Sequence, residues 1–411
     1  MPEYLAPGVF VEETQLSGHP IEGISTSTAA FVGLTVKGPI GAVSGLITSY
    51  GDFERVYGGD GELTWDGHSF INYMAHAVRG FFENGGRRLY VVRVSPPQSQ
   101  ADRMEMPQIN PFNRFLSRVL GPRFATKPAP TATYSDALKK LEDVNAVSVI
   151  AAPSAAQAFT DPAKAATHLR SVHAALMAHV EKMKHRLAVL DPPAHQSPAE
   201  VAAFANTVDS GHAALYYPWL VDASLAATTL PPSGAVCGIY ARVDAQRGVW
   251  KAPANVAING ISGFERHIRT ADQETLNPVG INVLREIPGR GMLVYGARTL
   301  SSDPEWRYVS VRRYISFLQK SILDGLDWVV FEPSDEPLWV ACKNRIDAFL
   351  TENWRNGALQ GQTSSDAFFV RCDRTTMTQT DIDNGRLIVQ VGVATAKPAE
   401  FNIFQIEKKL R

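Results

Sequence analysis

The chain has 411 residues, of which 45% are hydrophobic and 20% charged, and its formal net charge is −1. This balance excludes a protein built around nucleic-acid phosphates, which needs a basic excess. No run reaches the about 20 apolar residues of a membrane helix, and no secretory signal is visible. Three widely spaced cysteines favour reduced thiols and synthesis in the cytoplasm.

Residues 1–30 are predicted to form an arm and its linker. Proline and glycine precede a short run with strand character, which consists of Val9, Phe10, Val11, Glu12 and Glu13. The segment that follows, TQLSGHPIEGISTST, has the composition of a linker. A terminal strand frays unless it is paired, so we expect this one to have a partner.

Residues 31–94 are predicted to form a first α/β segment. It contains a buried strand at 29–36, a helix at 66–83 and the strand RRLYVVRV. The helix is predicted from a stripe of apolar residues with a period of 3.6. The proline-rich segment 95–132 indicates a variable linker or insertion.

Residues 133–232 are predicted to form an α/β domain. Helical stretches, the first at 136–143 with Ser135 as its cap, alternate with short apolar runs such as RLAVLDP and AALYYPWLV. That alternation is typical of a doubly wound fold with a largely parallel sheet.

Residues 233–400 are predicted to form an α+β core, followed by a C-terminal arm at 401–411. Helices are expected at 304–324 and from Asp335, where an acidic first turn with proline is a good helix start. Two alternating strands close the chain, RLIVQVGV at 386–393 and FNIFQIE at 401–407. The second contains the arm residues Phe401, Asn402, Ile403, Phe404, Gln405 and Ile406.

A hydrolytic site is the main enzymatic alternative. Asp191, His212 and Ser262 occur in the chain order of subtilisin-type serine hydrolases, but the local sequences around them lack the expected signatures. The spacing of His168, His173, His179 and His185 does not suit one metal ion, and the glycine-rich segments do not match phosphate loops. We therefore expect no cofactor and no metal.

The two strand-bearing arms have two interpretations. Each arm either folds back as an edge strand of its own domain or completes the sheet of a neighbouring molecule. Proteins normally suppress exposed edge strands because such strands polymerise. A chain with one at each end is suited to polymerisation.

Many ordered blocks of the chain resemble contractile tail sheath proteins of phages and bacterial injection systems. The opening APGVFVEE and the strand segment FFENGGRRLYVVRV resemble two of them. Further blocks follow in the family's order over residues 236–411, among them GINVLREIPGRGMLVYGARTLSSDPEWRYVSVRRY, WVVFEPSDEPLW, DIDNGRLIVQVGVA and KPAEFNIFQIEKK. Residues 95–135 show no such resemblance.

The resemblance implies a structural subunit with a central subtilisin-like α/β part that lacks catalysis. Such subunits assemble in the bacterial cytoplasm as stacked hexameric rings around an inner tube protein, between a baseplate and a terminal cap. The arms add strands to neighbouring sheets, and contraction drives the tube through a target envelope. The particle is a phage tail or a released extracellular injection particle, with no nucleic-acid partner and no direct membrane insertion. A non-contractile shell or cap component is a further alternative.

The resemblance also implies two sets of functional residues. Gly18, Pro20, Gly23 and Pro398 are expected to act as hinges that keep the arms paired while the subunit bodies move. Lys343, Arg345 and Arg355, on the helix after Asp335, are expected to contact the inner tube. A solvated helix face is the alternative explanation for these three charges.

Overall fold

The computed structural model describes residues 20–65, 68–96, 132–155, 162–223, 228–395 and 401–409. The predicted arm at Val9–Glu13, the hinge positions Gly18 and Pro398, and most of the 95–132 segment lie outside these residues. The contacts divide the described chain into two compact units. The first contains residues 24–317, and the second contains residues from 318 onward together with residues 20–23.

The first unit contains helices and strands in alternation, as predicted for residues 133–232. Its strands are β1 Thr28–Gly33, β2 Leu63–Trp65, β3 His68–Phe70, β4 Arg88–Arg93, β5 Val149–Ala151, β6 Leu187–Leu190, β7 Ala213–Tyr217, β8 Leu220–Asp222, β9 Thr229–Leu230, β10 Val256–Ala257, β11 Ile261–Phe264, β12 Ile281–Ile287 and β13 Gly291–Val294. Its helices are α1 Tyr50–Tyr57, α2 Tyr73–Glu83, α3 Tyr134–Leu141, α4 Pro162–Met183, α5 Pro198–Ala205, α6 Ser233–Arg247, α7 Thr270–Leu276 and α8 Val309–Gly325. The boundary between the two units falls within α8.

Eight strands of the described chain form one mixed sheet in the order β10-β13-β12-β7-β6-β5-β1-β4. The run from β12 to β4 is parallel, and β13 and β10 add an antiparallel edge. The predicted segments 31–94, 133–232 and 233–400 each contribute strands to it. Strands β8, β9 and β11 form a separate small sheet, and β2 pairs with β3.

The large sheet is covered on both faces, which explains its nearly continuous apolar strands. Along β1, Ala29 and Phe31 belong to one apolar cluster, whereas Ala30 and Val32 belong to another. Helices α1, α2 and α6 cover the first cluster, and α3, α4 and α5 cover the second. Successive strand residues point to opposite faces, so this alternation shows that the mixed sheet has an apolar cluster on each face.

Two glycines allow helices α2 and α6 to approach each other closely. A Cβ atom at Gly234 would lie 2.4 Å from the Ala77 carbonyl oxygen, and one at Gly238 would lie 2.3 Å from that of Phe81. Real Cβ atoms do not tolerate such distances. Because glycine has no side chain, these two positions of α6 allow the two helices to pack closely.

The prediction of a helix over 66–83 is wrong at its start. Residues 68–70 form β3, which pairs with β2, and the helix begins at Tyr73. The side chain of Asn72 caps it by accepting a hydrogen bond from the Ala75 amide at 3.3 Å. Phe70 fits the helical spacing by chance, so the apolar period extended the predicted helix into the hairpin.

Two other helix starts differ from those predicted. Helix α3 begins one residue after Thr133, which forms a reciprocal capping box with Asp136, so Ser135 is not the cap. Pro304–Trp306 forms a separate 3₁₀ turn, so the helix predicted over 304–324 begins at Val309.

The second unit carries the predicted C-terminal elements. They are α9 Glu336–Arg355, α10 Ser364–Ala367, β14 Phe368–Arg371, α11 Gln379–Asp383, β15 Arg386–Ala394 and β16 Phe401–Lys409, preceded by a 3₁₀ turn at Asp327–Val329. Asp335 caps α9 by accepting a hydrogen bond from the Leu338 amide at 3.0 Å, as the acidic start predicted. No helix of the described residues is long and apolar enough to cross a membrane.

Candidate assembly surfaces

The three residues of the hydrolase alternative do not come together. Asp191 follows the carboxyl end of β6, whereas His212 precedes the amino end of the neighbouring parallel strand β7. Ser262 lies on β11 in another sheet, where its Oγ donates to the Asp222 carbonyl oxygen at 3.1 Å. Asp and His therefore lie at opposite edges of the large sheet, and the chain order of the three is coincidental.

Asp191 has a structural partner instead. Its carboxylate accepts hydrogen bonds from the Ser233 amide at 2.8 Å and the Ser233 hydroxyl at 2.6 Å, at the first residue of α6. Burial raises the pKa of Asp191 to about 7, although the two Ser233 donors act in the opposite direction. The contact attaches the start of α6 to the end of β6.

The histidines of α4 are also structural. His173 is buried and its ring packs edge-on against Phe204, while His179 Nε2 lies 2.8 Å from an Arg186 guanidinium nitrogen. Burial lowers the pKa of His173 to about 3 and that of His179 to about 4, so both are neutral at pH 7. Within the described parts of the chain, no group of His, Cys, Asp and Glu residues suits a metal ion.

The C-terminal sheet is the first candidate assembly surface. Its strand order is β14-β15-β16, and all pairs are antiparallel. Strand β16 lies along the whole of β15, from Phe401 opposite Ala394 to Lys409 opposite Arg386. The predicted arm residues Phe401–Ile406 thus pair with the chain's own β15 in this structure, as in the first of the two interpretations of the arms.

Strand β15 is held firmly by the rest of the second unit. Leu387, Val389, Val391 and Val393 are buried along one side of it. The Thr376 hydroxyl donates to the Ile388 carbonyl oxygen at 2.9 Å, and the Gln360 amide donates to that of Ala394 at 2.9 Å. Strand β15 is therefore a fixed template for β16.

One of the predicted hinge regions is anchored by a neighbour that the sequence did not reveal. Pro20 and Gly23 are exposed, but Ile21 between them is buried. A Cβ atom on Gly325, the last residue of α8, would lie 2.6 Å from Ile21 Cγ1. The glycine makes room for the isoleucine, so the segment is attached at Ile21 and exposed on either side.

Helix α9 is the second candidate surface, and its predicted charges differ in their surroundings. The Lys343 Nζ lies 2.7 Å from Asp347 Oδ2 one turn later, and the Arg345 guanidinium lies 3.9 Å above the Trp328 ring. Arg355 is exposed in the last turn.

Exposed apolar residues accompany these charges, and sequence reasoning missed them. Val340 on α9 is 55% exposed, and Phe331 in the loop before it is 77% exposed. Phe331 has a φ of 75°, which is uncommon for a bulky residue. This backbone conformation costs free energy, and such strain often occurs at functional sites. Large exposed apolar side chains of this kind are typical of interaction surfaces when they cluster.

The described chain thus has a large mixed sheet in its first unit, and in its second unit a small sheet in which β16 pairs along the whole of β15. Residues 128–300 match the family model for the phage tail sheath protein central domain, and residues 301–409 match that for the phage tail sheath C-terminal domain. The chain belongs to the phage tail sheath protein family, so the resemblance noted in the sequence is confirmed. It is a contractile tail sheath subunit of a phage tail or of an extracellular injection particle.

Similar proteins span both kinds of particle. The tail sheath protein of Vibrio phage KVP40 is 29% identical over 176 residues, covering 42% of this chain but only 25% of that relative. The anti-feeding prophage helical sheath in its contracted state has 29% identity and a TM-score of 0.70, covering 98% of this chain and 99% of that one. The sheath complex of the extracellular contractile injection system PVC, also contracted, has 26% identity and a TM-score of 0.67, covering 99% and 98%.

Proposed function

We propose that this subunit polymerises as stacked hexameric rings around an inner tube protein and contracts to drive that tube through a target envelope. The observation that carries the proposal is the similarity, over nearly the whole chain, to sheath subunits solved in contracted assemblies. Assembly takes place in the bacterial cytoplasm, between a baseplate and a terminal cap. The central α/β part is a subtilisin-like scaffold without the hydrolase's catalytic site.

Strand exchange links the subunits. A neighbour's β16 placed on β15 in the observed register would make the same backbone hydrogen bonds as the chain's own strand. Each such bond contributes about 0.5–1.5 kcal/mol net, and exchange of an identical element between copies has a low cost. The arm residues Val9–Glu13 would extend the same sheet in another subunit.

The hinges keep these links intact during contraction. Pro20 and Gly23 are exposed on either side of the anchored Ile21, so they allow the N-terminal arm to rotate. Gly18 would be a further hinge for the N-terminal arm, and Pro398 would be the hinge for the C-terminal arm. Contraction then changes contacts between subunit bodies while the strands stay paired. A difference of about 2–5 kcal/mol per subunit between two packings sums to a large free energy over a long sheath.

Helix α9 forms the contact with the inner tube. Exposed Arg355 and partly exposed Lys343 supply charge, and exposed Val340 supplies apolar area on the same helix. Arg345 serves this surface less directly, because its guanidinium is stacked on Trp328.

Negative-stain electron microscopy of the expressed chain tests the polymer. We expect hollow, ridged tubes from the full chain, alone or with the tube protein as template. A variant that lacks residues 1–13 should form no tubes, because the arm that links the subunits is gone, but its thermal unfolding should match that of the full chain. Tubes formed by the deletion variant would contradict the role of the arm, and dispersed monomers of the full chain with its tube protein would contradict the sheath assembly itself.

A further inference from the structure

Three arginines surround a small cavity at the amino ends of β5 and β6. Arg186 immediately precedes β6, and Arg312 and Arg313 lie in the first turn of α8. The cavity has a volume of about 10 Å³, close to what a single water-sized particle occupies. The site is far too small for an organic ligand.

The positive charge around this cavity exceeds the negative charge that contacts it. Arg313 is balanced, because two of its nitrogens bind the Asp244 carboxylate at 2.9 and 2.5 Å. Arg186 is 1% exposed, and its terminal nitrogens contact His179 Nε2 and the Val144 carbonyl oxygen, which are both neutral partners. Within the described chain, no carboxylate lies within 4 Å of the Arg186 guanidinium.

The acidic groups that act on these arginines are Glu142 for Arg186, and Glu181 and Asp303 for Arg312. The Glu142 carboxylate lies 2.5 Å from Lys182 Nζ, and Glu181 accepts a hydrogen bond from the Ser210 hydroxyl at 2.5 Å. Burial lowers the pKa of Arg186 to about 10, so its guanidinium stays charged at pH 7. A buried charge without a counter-ion is strongly unfavourable.

Two N–H donors beside the cavity have no acceptor. They are the Nε atoms of Arg186 and Arg312, both buried and both without a hydrogen-bond partner in the described chain. The Arg312 guanidinium is otherwise stacked 3.3 Å from the centre of the Trp306 ring. Unsatisfied buried donors are rare, and an acceptor bound in the cavity that both arginines line would supply the missing partner.

We propose that this cavity binds a small monoatomic anion, with chloride as the physiological ligand, held by the Nε–H groups of Arg186 and Arg312. Chloride is only slightly larger than water, accepts several hydrogen bonds and places a negative charge directly beside the two arginines. The bound ion would join the start of α8 to the amino ends of β5 and β6, and so stabilise the first unit.

Thermal unfolding of the full chain in sodium chloride and in sodium gluconate at equal ionic strength tests this site. Gluconate is too large for the cavity. Above the dissociation constant, each tenfold rise in chloride should raise the unfolding midpoint by about 2–4 °C relative to gluconate. Bromide should act as chloride does. Identical midpoints in chloride and gluconate would overturn the proposal and indicate that water alone fills the cavity.

Variants assign the effect to the cavity. Arg186→Met and Arg312→Met should each abolish the chloride dependence, whereas Arg269→Met, at an arginine that is 74% exposed, should retain it in full. If Arg186→Met does not fold, Arg312→Met and the halide series on the unaltered chain decide the question. Chloride dependence that persists in a folded cavity variant would refute the site.

Discussion

The large sheet of the first unit and the small sheet of the second unit are completed in different ways. In the first, helices connect the parallel strands along the sequence and cover both faces of the sheet. The crossover connections before and after each strand therefore fix its position in the sheet. In the second, β16 is an antiparallel edge strand beside a fixed template. A parallel strand of the large sheet cannot detach unless the unit unfolds. The edge strand β16 could detach and be replaced by β16 of another subunit.

The largest expected effect comes from disturbing the first unit. Gly238→Ala places a methyl group 2.3 Å from the Phe81 carbonyl oxygen between α6 and α2. We expect a loss of about 3 kcal/mol in the free energy of unfolding, at the upper end for an overpacked site, despite the better helix propensity of alanine. Chemical denaturation measures it. Gly263→Ala, where nothing lies within 4 Å of the new methyl group, is the matched control and should be nearly neutral.

The second effect concerns the contact between β6 and α6. The pKa of Asp191 in the folded state, about 7, lies above its unfolded value of 3.8. The folded state therefore binds more protons than the unfolded state between these values, and this group's stabilising contribution is present below pH 4 and lost as pH rises to 7. Asp191→Asn should remove that component from the pH dependence of unfolding. A variant whose stability falls with pH as steeply as that of the unaltered chain would disprove the assignment.

Local patterns in the sequence predicted the secondary structure better than they predicted the candidate site. The apolar runs of β5, β6 and β7 between helical segments were enough to predict the α/β alternation, and the acidic, proline-containing start of α9 was enough to place its cap. Chain order alone suggested a triad of Asp191, His212 and Ser262, but it carries no information about which edge of a sheet each residue occupies. That depends on strand direction, which only the fold supplies.

Long-range contacts were equally hidden on the assembly surfaces. The stacking of Arg345 on Trp328 and the packing of Ile21 against Gly325 join residues far apart in sequence. Periodicity predicts which face of a helix is apolar, but it does not identify the partner across a tertiary contact. Phe331 was missed because an apolar run beside a proline is usually buried.

The smallest expected change in stability comes from the second unit's surface. Lys343→Glu with Arg355→Glu replaces one partly exposed ion pair, which contributes about 0.3–0.5 kcal/mol, by a like-charge pair with Asp347 of similar cost. Thermal unfolding should hardly change, but co-sedimentation with the inner tube protein should be lost if α9 makes that contact. Arg269→Glu, on the first unit, should leave co-sedimentation intact. Undiminished co-assembly of the double variant would remove α9 from the tube interface.

The central claim is that β16 is exchanged between subunits, and a cross-link reads this directly. Gln390 on β15 and Gln405 on β16 lie opposite each other in the observed register. The variant Gln390→Cys with Gln405→Cys, assembled into tubes and treated with a short bis-maleimide, reports which chain supplies the strand; each single variant is the control. We predict a ladder of covalently linked subunits on a denaturing gel. A product that is entirely internally linked monomer would show that each β16 remains on its own chain and would contradict strand exchange.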